Sequence, residues 1–343
     1  MKSARLVEKK RFEIVETPIP FLKQGQILVA MKSVGICASD VHYYLDGRIG
    51  NQVCIFPQVL GHECAGIVAQ TTGASSFRTG DRVAVEPALA CGLCEHCAAG
   101  RWNQCPEVKF LGMPGMPGAF QEFLALDENQ LLPVPGSMSF NESALLEPMG
   151  VAHHANVLAR VQSNETVAIF GAGAIGLLTL ALAKANGAGE VFIFDEREYR
   201  LFRAKSDYHA DHAVSVRDCD PIDYIQKHTN GRGVDVSFEA AGRPESFESA
   251  LETARIGGRV YIIGIPAQDR ISFNAHSLRR RELLVQNVRR SNGETRQCID
   301  LVKQGRIKID QLATHEFSLE RIAEAFDVVA GYKDKVIRAM ITF

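Results

Sequence analysis

A short apolar run that ends in glycines restricts the fold of this chain more than any other stretch: Val167-Ala168-Ile169-Phe170, then Gly171-Ala172-Gly173-Ala174-Ile175-Gly176. The glycine pattern alone is weak. Placed after a strand and at the start of an Ala/Leu helix, it reads as a dinucleotide-binding turn. Gly171 permits the tight turn, Gly173 lets the backbone approach a pyrophosphate, and Gly176 allows helix and strand to pack closely. The helix N-terminus adds unpaired N–H groups for the phosphates. Asp195 ends the next strand, about 20 residues on, where an acid is expected to bind the ribose hydroxyls. A carboxylate there repels a 2′-phosphate, so NAD is expected over NADP, although Arg197 and Arg200 stand beside it. The cofactor-binding set read from the sequence is Gly171, Gly173, Ile175, Gly176, Asp195 and Arg200.

The surroundings of this turn set the fold class. Val191–Phe194, Val234–Phe238 and Val260–Ile263 read as further strands, with helices expected from Glu196 to about Ser206 and from Glu245 to Ala254. Such alternation predicts an α/β domain with a doubly wound parallel sheet. Val167 to Ala183 is nearly all apolar, but it carries three glycines and is shorter than the ~20 residues of a spanning helix, so no membrane span is expected. The first third is different. Ile27–Met31, Ala65–Ala69 and Arg82–Val85 are short strand-like runs punctuated by Pro and Gly, and no long amphipathic helix interrupts them. This part reads as an irregular β domain. Thr295–Lys303 and Leu319–Val329 look helical, and Val336–Phe343 looks like a terminal strand.

Nine cysteines are present, four of them between Cys91 and Cys105. Met1 to Arg11 carries charges and no apolar stretch, so no signal peptide is expected. A cytoplasmic chain keeps its thiols reduced, which favours metal binding over disulfides. Cys91-x-x-Cys94-x-x-Cys97 followed by Cys105 can close a tetrahedron of thiolates with no open position, the pattern of a structural zinc. An iron–sulfur cluster or plain thiols are the weaker readings. A net charge of -2, and a cysteine loop whose only Lys or Arg before Lys109 is Arg101, argue against nucleic acid and anionic membranes as partners. Cys54, Cys64, Cys219 and Cys298 read as structural thiols.

A second donor set stands between Cys37 and Glu63. Cys37-Ala38-Ser39-Asp40-Val41-His42-Tyr43 is followed, after a loop, by Gly61-His62-Glu63. A thiol, an imidazole and a carboxylate are the donors of a catalytic zinc, which leaves one position open. Taken alone, Cys37 reads more readily as a small apolar core residue than as a metal ligand.

Together, Cys-x-Ser-Asp-x-His at Cys37 to His42, Gly-His-Glu at Gly61 to Glu63, the four-Cys lobe and the glycine turn resemble the zinc-dependent medium-chain dehydrogenase/reductase family over essentially the whole chain. His42-Tyr43, Gly47–Asn51 and Leu146-Glu147-Pro148 resemble its polyol branch, the sorbitol and xylitol dehydrogenases. The resemblance implies a GroES-like catalytic domain over residues 1–150 and 287–343, interrupted by a Rossmann domain over 151–286. It implies Cys37, His62 and Glu63 as ligands of the catalytic zinc, with Glu147 facing that zinc and Asp40 orienting His62. Ser39 and His42 would carry the alcohol proton to solvent, with an exit through water and Glu147 as the alternative. Tyr43 and Arg289 match positions near substrate hydroxyls. Core packing for Tyr43 and a solvated charged stretch for Arg289 and Arg290 are the other readings.

The implied reaction moves a hydride from a secondary alcohol of a polyol to NAD and gives a ketose. The small-molecule substrate stays open between a polyol, a phosphorylated sugar alcohol, L-threonine and butanediol. A non-catalytic zinc-binding homologue is the remaining reading. A homotetramer or dimer is implied, with Trp102 packing the zinc lobe or a subunit contact. His153 and His154 follow Glu147 at an expected helix start and read as packing or surface residues.

Overall fold

The computed structural model describes residues 1–343. The chain forms two compact units, Met1–Glu147 with Thr295–Phe343, and Pro148–Glu294.

The first unit opens with a hairpin of β1 (Lys2–Glu8) and β2 (Arg11–Glu16). Then come β3 (Gln26–Gly35), helix α1 (Ala38–Asp46), β4 (Glu63–Thr71), β5 (Arg82–Val85), β6 (Phe123–Asp127) and β7 (Leu131–Pro133). β3 is the hub. It pairs along its length with β4, and β6 takes the other edge of its first half. Its apolar side chains, Ile27, Val29, Met31 and Val34, are buried in the core of this unit with Leu6, Val68, Phe120 and Phe326.

The chain leaves this unit inside helix α2 (Phe140–Ala159). The start expected from the sequence lies near Glu147. The helix instead begins earlier, with Pro148 in its interior. Ser139 and Glu142 explain the difference. The Glu142 N–H donates to Ser139 Oγ at 3.1 Å, and the Ser139 N–H donates to Glu142 Oε2 at 2.8 Å. This reciprocal cap fixes the start, and Pro148 then forfeits one internal hydrogen bond.

The second unit holds six parallel strands: β8 (Val167–Phe170), β9 (Val191–Asp195), β10 (His212–Ser215), β11 (Val234–Glu239), β12 (Ala254–Ile262) and β13 (Leu284–Asn287). Their order is β10-β9-β8-β11-β12-β13, the 3-2-1-4-5-6 order of a Rossmann sheet. β8, β9 and β11 are buried at every residue, as expected of strands covered on both faces. Helices α3 (Ala174–Ala185), α4 (Glu198–Ser206), α5 (Pro221–His228), α6 (Pro244–Thr253) and α7 (Ala275–Arg281) connect them. The strand order reverses between β8 and β11, and the glycine turn follows β8 at that point.

On return to the first unit the chain forms α8 (Thr295–Lys303), β14 (Ala313–Ser318), α9 (Ile322–Ala330) and β15 (Arg338–Thr342). β15 joins the edge of β3 through Met340, Ile341 and Thr342, which completes a seven-stranded sheet. No helix is long and apolar enough to cross a membrane.

Candidate active site and cofactor turn

Cys37 caps the N-terminus of α1, and Asp40 in its first turn ties two distant segments together. The Cys37 N–H donates to Asp40 Oδ2 at 3.0 Å, and the Gly61 N–H donates to Oδ1 at 3.1 Å. The same oxygen lies 3.6 Å from His62 Nδ1. One buried carboxylate therefore sets the loop that carries Cys37 and the ring of His62. Gly61 has φ +93°, and a Cβ there would meet Phe120 and Val34 at 3.1 Å, so only glycine fits the approach to His62.

Glu63 follows at the start of β4, opposite Gly35 of β3. A Cβ on Gly35 would stand 2.3 Å from Glu63 Oε2; the missing side chain makes room for the carboxylate. Glu63 is fully buried, and neither of its oxygens has a hydrogen bond. The Arg338 guanidinium, also buried, lies 3.1 Å away. The donor atoms of Cys37, His62 and Glu63 lie within 4.8 Å of one another. Two buried, unbonded oxygens facing a thiol and an imidazole fit a divalent metal with N, O and S preferences.

The charges around this set are balanced by neighbours. Burial disfavours charge on His62, but Asp40 and Cys37 overcome it and raise its pKa well above the usual imidazole value. Glu147 is buried in the same unit. Burial pushes its pKa up to about 8; His62 and Arg338 oppose that rise, and the carboxylates of Glu63 and Glu86 add to it. Ser39 and His42 stand three residues apart on α1, which puts them on one face. His42 Nδ1 lies 3.5 Å from Asp46. Tyr43 is buried on α1, whereas Arg289 is exposed beyond β13 in the other unit. His154 is buried, its Nδ1 2.8 Å from Glu294 Oε1.

The four-Cys lobe forms a second donor set. Cys94 Sγ lies 3.5 Å and Cys91 Sγ 3.9 Å from Cys97 Sγ. All four thiols are free. Zinc–sulfur bonds of ~2.3 Å give a tetrahedron with edges of about 3.8 Å, so this spacing suits a closed zinc site. N–H groups of Leu93 and Cys94 draw the Cys91 thiol down to about 6, while burial pushes Cys97 up to about 12. The remaining thiols behave otherwise: burial alone raises Cys54 to about 11 and is the main reason Cys64 rises to about 12. Such thiols stay protonated and inert.

In the second unit, Gly171 has φ +103° and packs against the Ala240 carbonyl, where a Cβ would lie 3.0 Å away. A Cβ on Gly176 would stand 1.8 Å from Gly171 O, so α3 rests directly on the turn. At Gly173 the space is open, with only Arg200 Nη1 at 3.8 Å. Fold packing therefore demands the outer two glycines but leaves Gly173 bare, which fits a cradle for a phosphate. Ile175 is half-buried in the first turn of α3. Asp195 Oδ2 accepts from the Ala172 N–H at 2.7 Å and lies 3.6 Å from Arg200 Nη1. Its Oδ1 accepts from the Arg197 N–H at 2.9 Å.

Comparison with known proteins agrees with both units. Residues 23–136 match the alcohol dehydrogenase GroES-like domain, and residues 174–304 match the zinc-binding dehydrogenase domain. The chain is 38% identical over 342 residues to the sorbitol dehydrogenase of Bacillus subtilis, a match covering 99% of this chain and 97% of that protein. The chain belongs to the zinc-dependent medium-chain dehydrogenase family. This dehydrogenase is also 34% identical to a probable D-xylulose reductase A of Arthroderma otae, covering 95% and 93% of the two chains. Among solved structures, L-idonate 5-dehydrogenase from Escherichia coli superposes on it with a TM-score of 0.92 at 29% identity, covering 100% and 98%.

Spacing did not reveal every member of the site. Arg338 and Glu86 lie far from Glu63 and Glu147 in the sequence. Neither belongs to a motif, and only the sheet pairing of β15 with β3 brings Arg338 to Glu63.

Proposed function

We propose that this dehydrogenase oxidises a secondary alcohol of a polyol to a ketone, with NAD as hydride acceptor, at a zinc held by Cys37, His62 and Glu63. The observation that carries the reading is the buried Glu63 carboxylate, which has no hydrogen bond and lies beside Cys37 and His62. Zinc, when bound, supplies Lewis acidity that makes the substrate hydroxyl a stronger acid. The protein holds the donors in place. Asp40 fixes His62 and the Cys37 loop, and Arg338 offsets the charge of Glu63. A second zinc belongs to Cys91, Cys94, Cys97 and Cys105, where it staples the lobe.

Ser39 and His42 receive the alcohol proton and pass it outward along one face of α1, and Glu147 offers a second acceptor. Tyr43 and Arg289 are assigned to the substrate hydroxyls. Gly171, Gly173, Ile175 and Gly176 hold the cofactor pyrophosphate, and Asp195 and Arg200 face its ribose. Sorbitol and xylitol are the substrates that the names of the relatives suggest. A homotetramer or dimer in the cytoplasm completes this reading.

The test is NADH formation by zinc-loaded protein with sorbitol, xylitol, a phosphorylated hexitol, L-threonine, butanediol and ethanol, and with NADP as a second acceptor. Turnover of the polyols with NAD is expected. Preference for threonine or butanediol would overturn the substrate class and keep the site.

A further inference from the structure

Glu196, the residue after Asp195, gathers arginines from three segments. Its Oε1 lies 3.0 Å from Arg197 Nη2 and 3.8 Å from Arg243 Nη2, and its Oε2 lies 4.0 Å from Arg217 Nη2. Arg197 follows β9, Arg217 follows β10 and Arg243 follows β11. All three stand at the carboxyl ends of their strands, the edge at which the glycine turn follows β8. Arg200 lies 3.6 Å from Asp195. Four guanidiniums thus face the carboxylates of Asp195 and Glu196.

Asp195 alone is a weak barrier to a 2′-phosphate here. Its two oxygens already accept from the Ala172 and Arg197 N–H groups, and Arg200 offsets its charge. A phosphate dianion binds guanidinium groups strongly and in a planar, bidentate manner. The arginines at this rim would attract one unless something else held them. We infer that Glu196 sets the preference for a nicotinamide cofactor without a 2′-phosphate, by engaging Arg197, Arg217 and Arg243 and opposing the phosphate charge. The inference rests on the cofactor reading above and names the residue that decides the cofactor class. Glu196, Arg217 and Arg243 are partly exposed, with side-chain exposures of 33%, 66% and 58%, so the effect is open to screening by salt.

The experiment measures dissociation constants of NADH and NADPH by fluorescence titration, and of 5′-ADP and 2′,5′-ADP by calorimetry, for the wild-type dehydrogenase and for Glu196→Gln. The wild type should favour NADH. Glu196→Gln should bind NADPH and 2′,5′-ADP roughly tenfold more tightly than the wild type, with a smaller change for NADH and 5′-ADP. Most of that gain should vanish at about 0.5 M salt. It should also vanish when Arg217→Gln is added, which a merely structural Glu196 would not produce. An unchanged NADPH-to-NADH ratio in Glu196→Gln overturns the inference, as does a wild type that binds both cofactors equally. A wild type that binds neither NADH nor 5′-ADP overturns the cofactor reading itself, and the inference with it.

Discussion

Glu63 and Arg338 form a buried ion pair, 3.1 Å apart, between the start of β4 and the start of β15. Arg338 Nη1 also donates to the Ile36 carbonyl at 2.7 Å, next to Cys37. The last strand of the chain thereby supports two segments that carry candidate metal donors. Removing one partner of a buried pair leaves the other charged and uncompensated, at a cost of about 3–5 kcal/mol. Arg338→Leu should lower the thermal midpoint by several degrees and weaken zinc retention at the Cys37 site. Calorimetry and metal analysis check both; an unchanged midpoint would mean that the pair is not coupled to stability.

The two donor sets should separate cleanly. Cys37→Ser is expected to cut turnover by about a thousandfold or more while the four-Cys lobe keeps its zinc. Cys94→Ser should lose the lobe zinc and stability first. Zinc content per chain, measured beside activity, distinguishes them. Full activity in Cys37→Ser would sink the assignment of the catalytic site.

Gly173 and Gly176 should respond differently to alanine. At Gly176 the new Cβ would stand 1.8 Å from Gly171 O, so α3 must move off the turn and the protein should be destabilised. At Gly173 the nearest atom would be 3.8 Å away, so the fold should tolerate alanine while NADH binding weakens by roughly tenfold. Thermal midpoints and NADH titrations of the two variants test the contrast. Equal effects on both quantities would contradict a cofactor role for Gly173.

Asp235 makes stability depend on acid pH. Burial works against its charge, but Arg232, the Thr166 N–H and Arg255 outweigh it and hold its pKa well below the usual carboxylate range. Arg232 Nη2 and Arg255 Nε both lie 2.6 Å from Asp235 Oδ1. A folded-state pKa below the unfolded value of about 4 gives stability that is fully present above that unfolded value and is lost progressively as the pH falls from it through the folded-state pKa. Asp235→Asn should therefore cost about 1–3 kcal/mol near neutral pH. The gap between variant and wild type should shrink below about pH 4. Denaturant titrations at pH 7 and pH 3.5 measure it, and a gap that widens in acid would refute the sign.

Local chemistry was legible in the sequence because it sits in short segments. The glycine turn needs three glycines at fixed offsets, a closed thiolate set needs four cysteines on one loop, and Cys37 with Asp40 occupies a single helix start. The alternation of strands and helices after Glu147 likewise revealed the parallel sheet, because buried strands must be apolar throughout. The beginning of α2 carries a local signal as well, the reciprocal Ser139–Glu142 cap. Tertiary structure alone decided which distant charges meet. Arg338 reaches Glu63 only because β15 pairs with β3; Arg217 meets Glu196 because β10 pairs with β9, and Arg243 because β9, β8 and β11 are neighbours in the sheet. Charge pairs of that kind carry no local pattern; they follow from strand order, which the periodicity of a single segment does not encode.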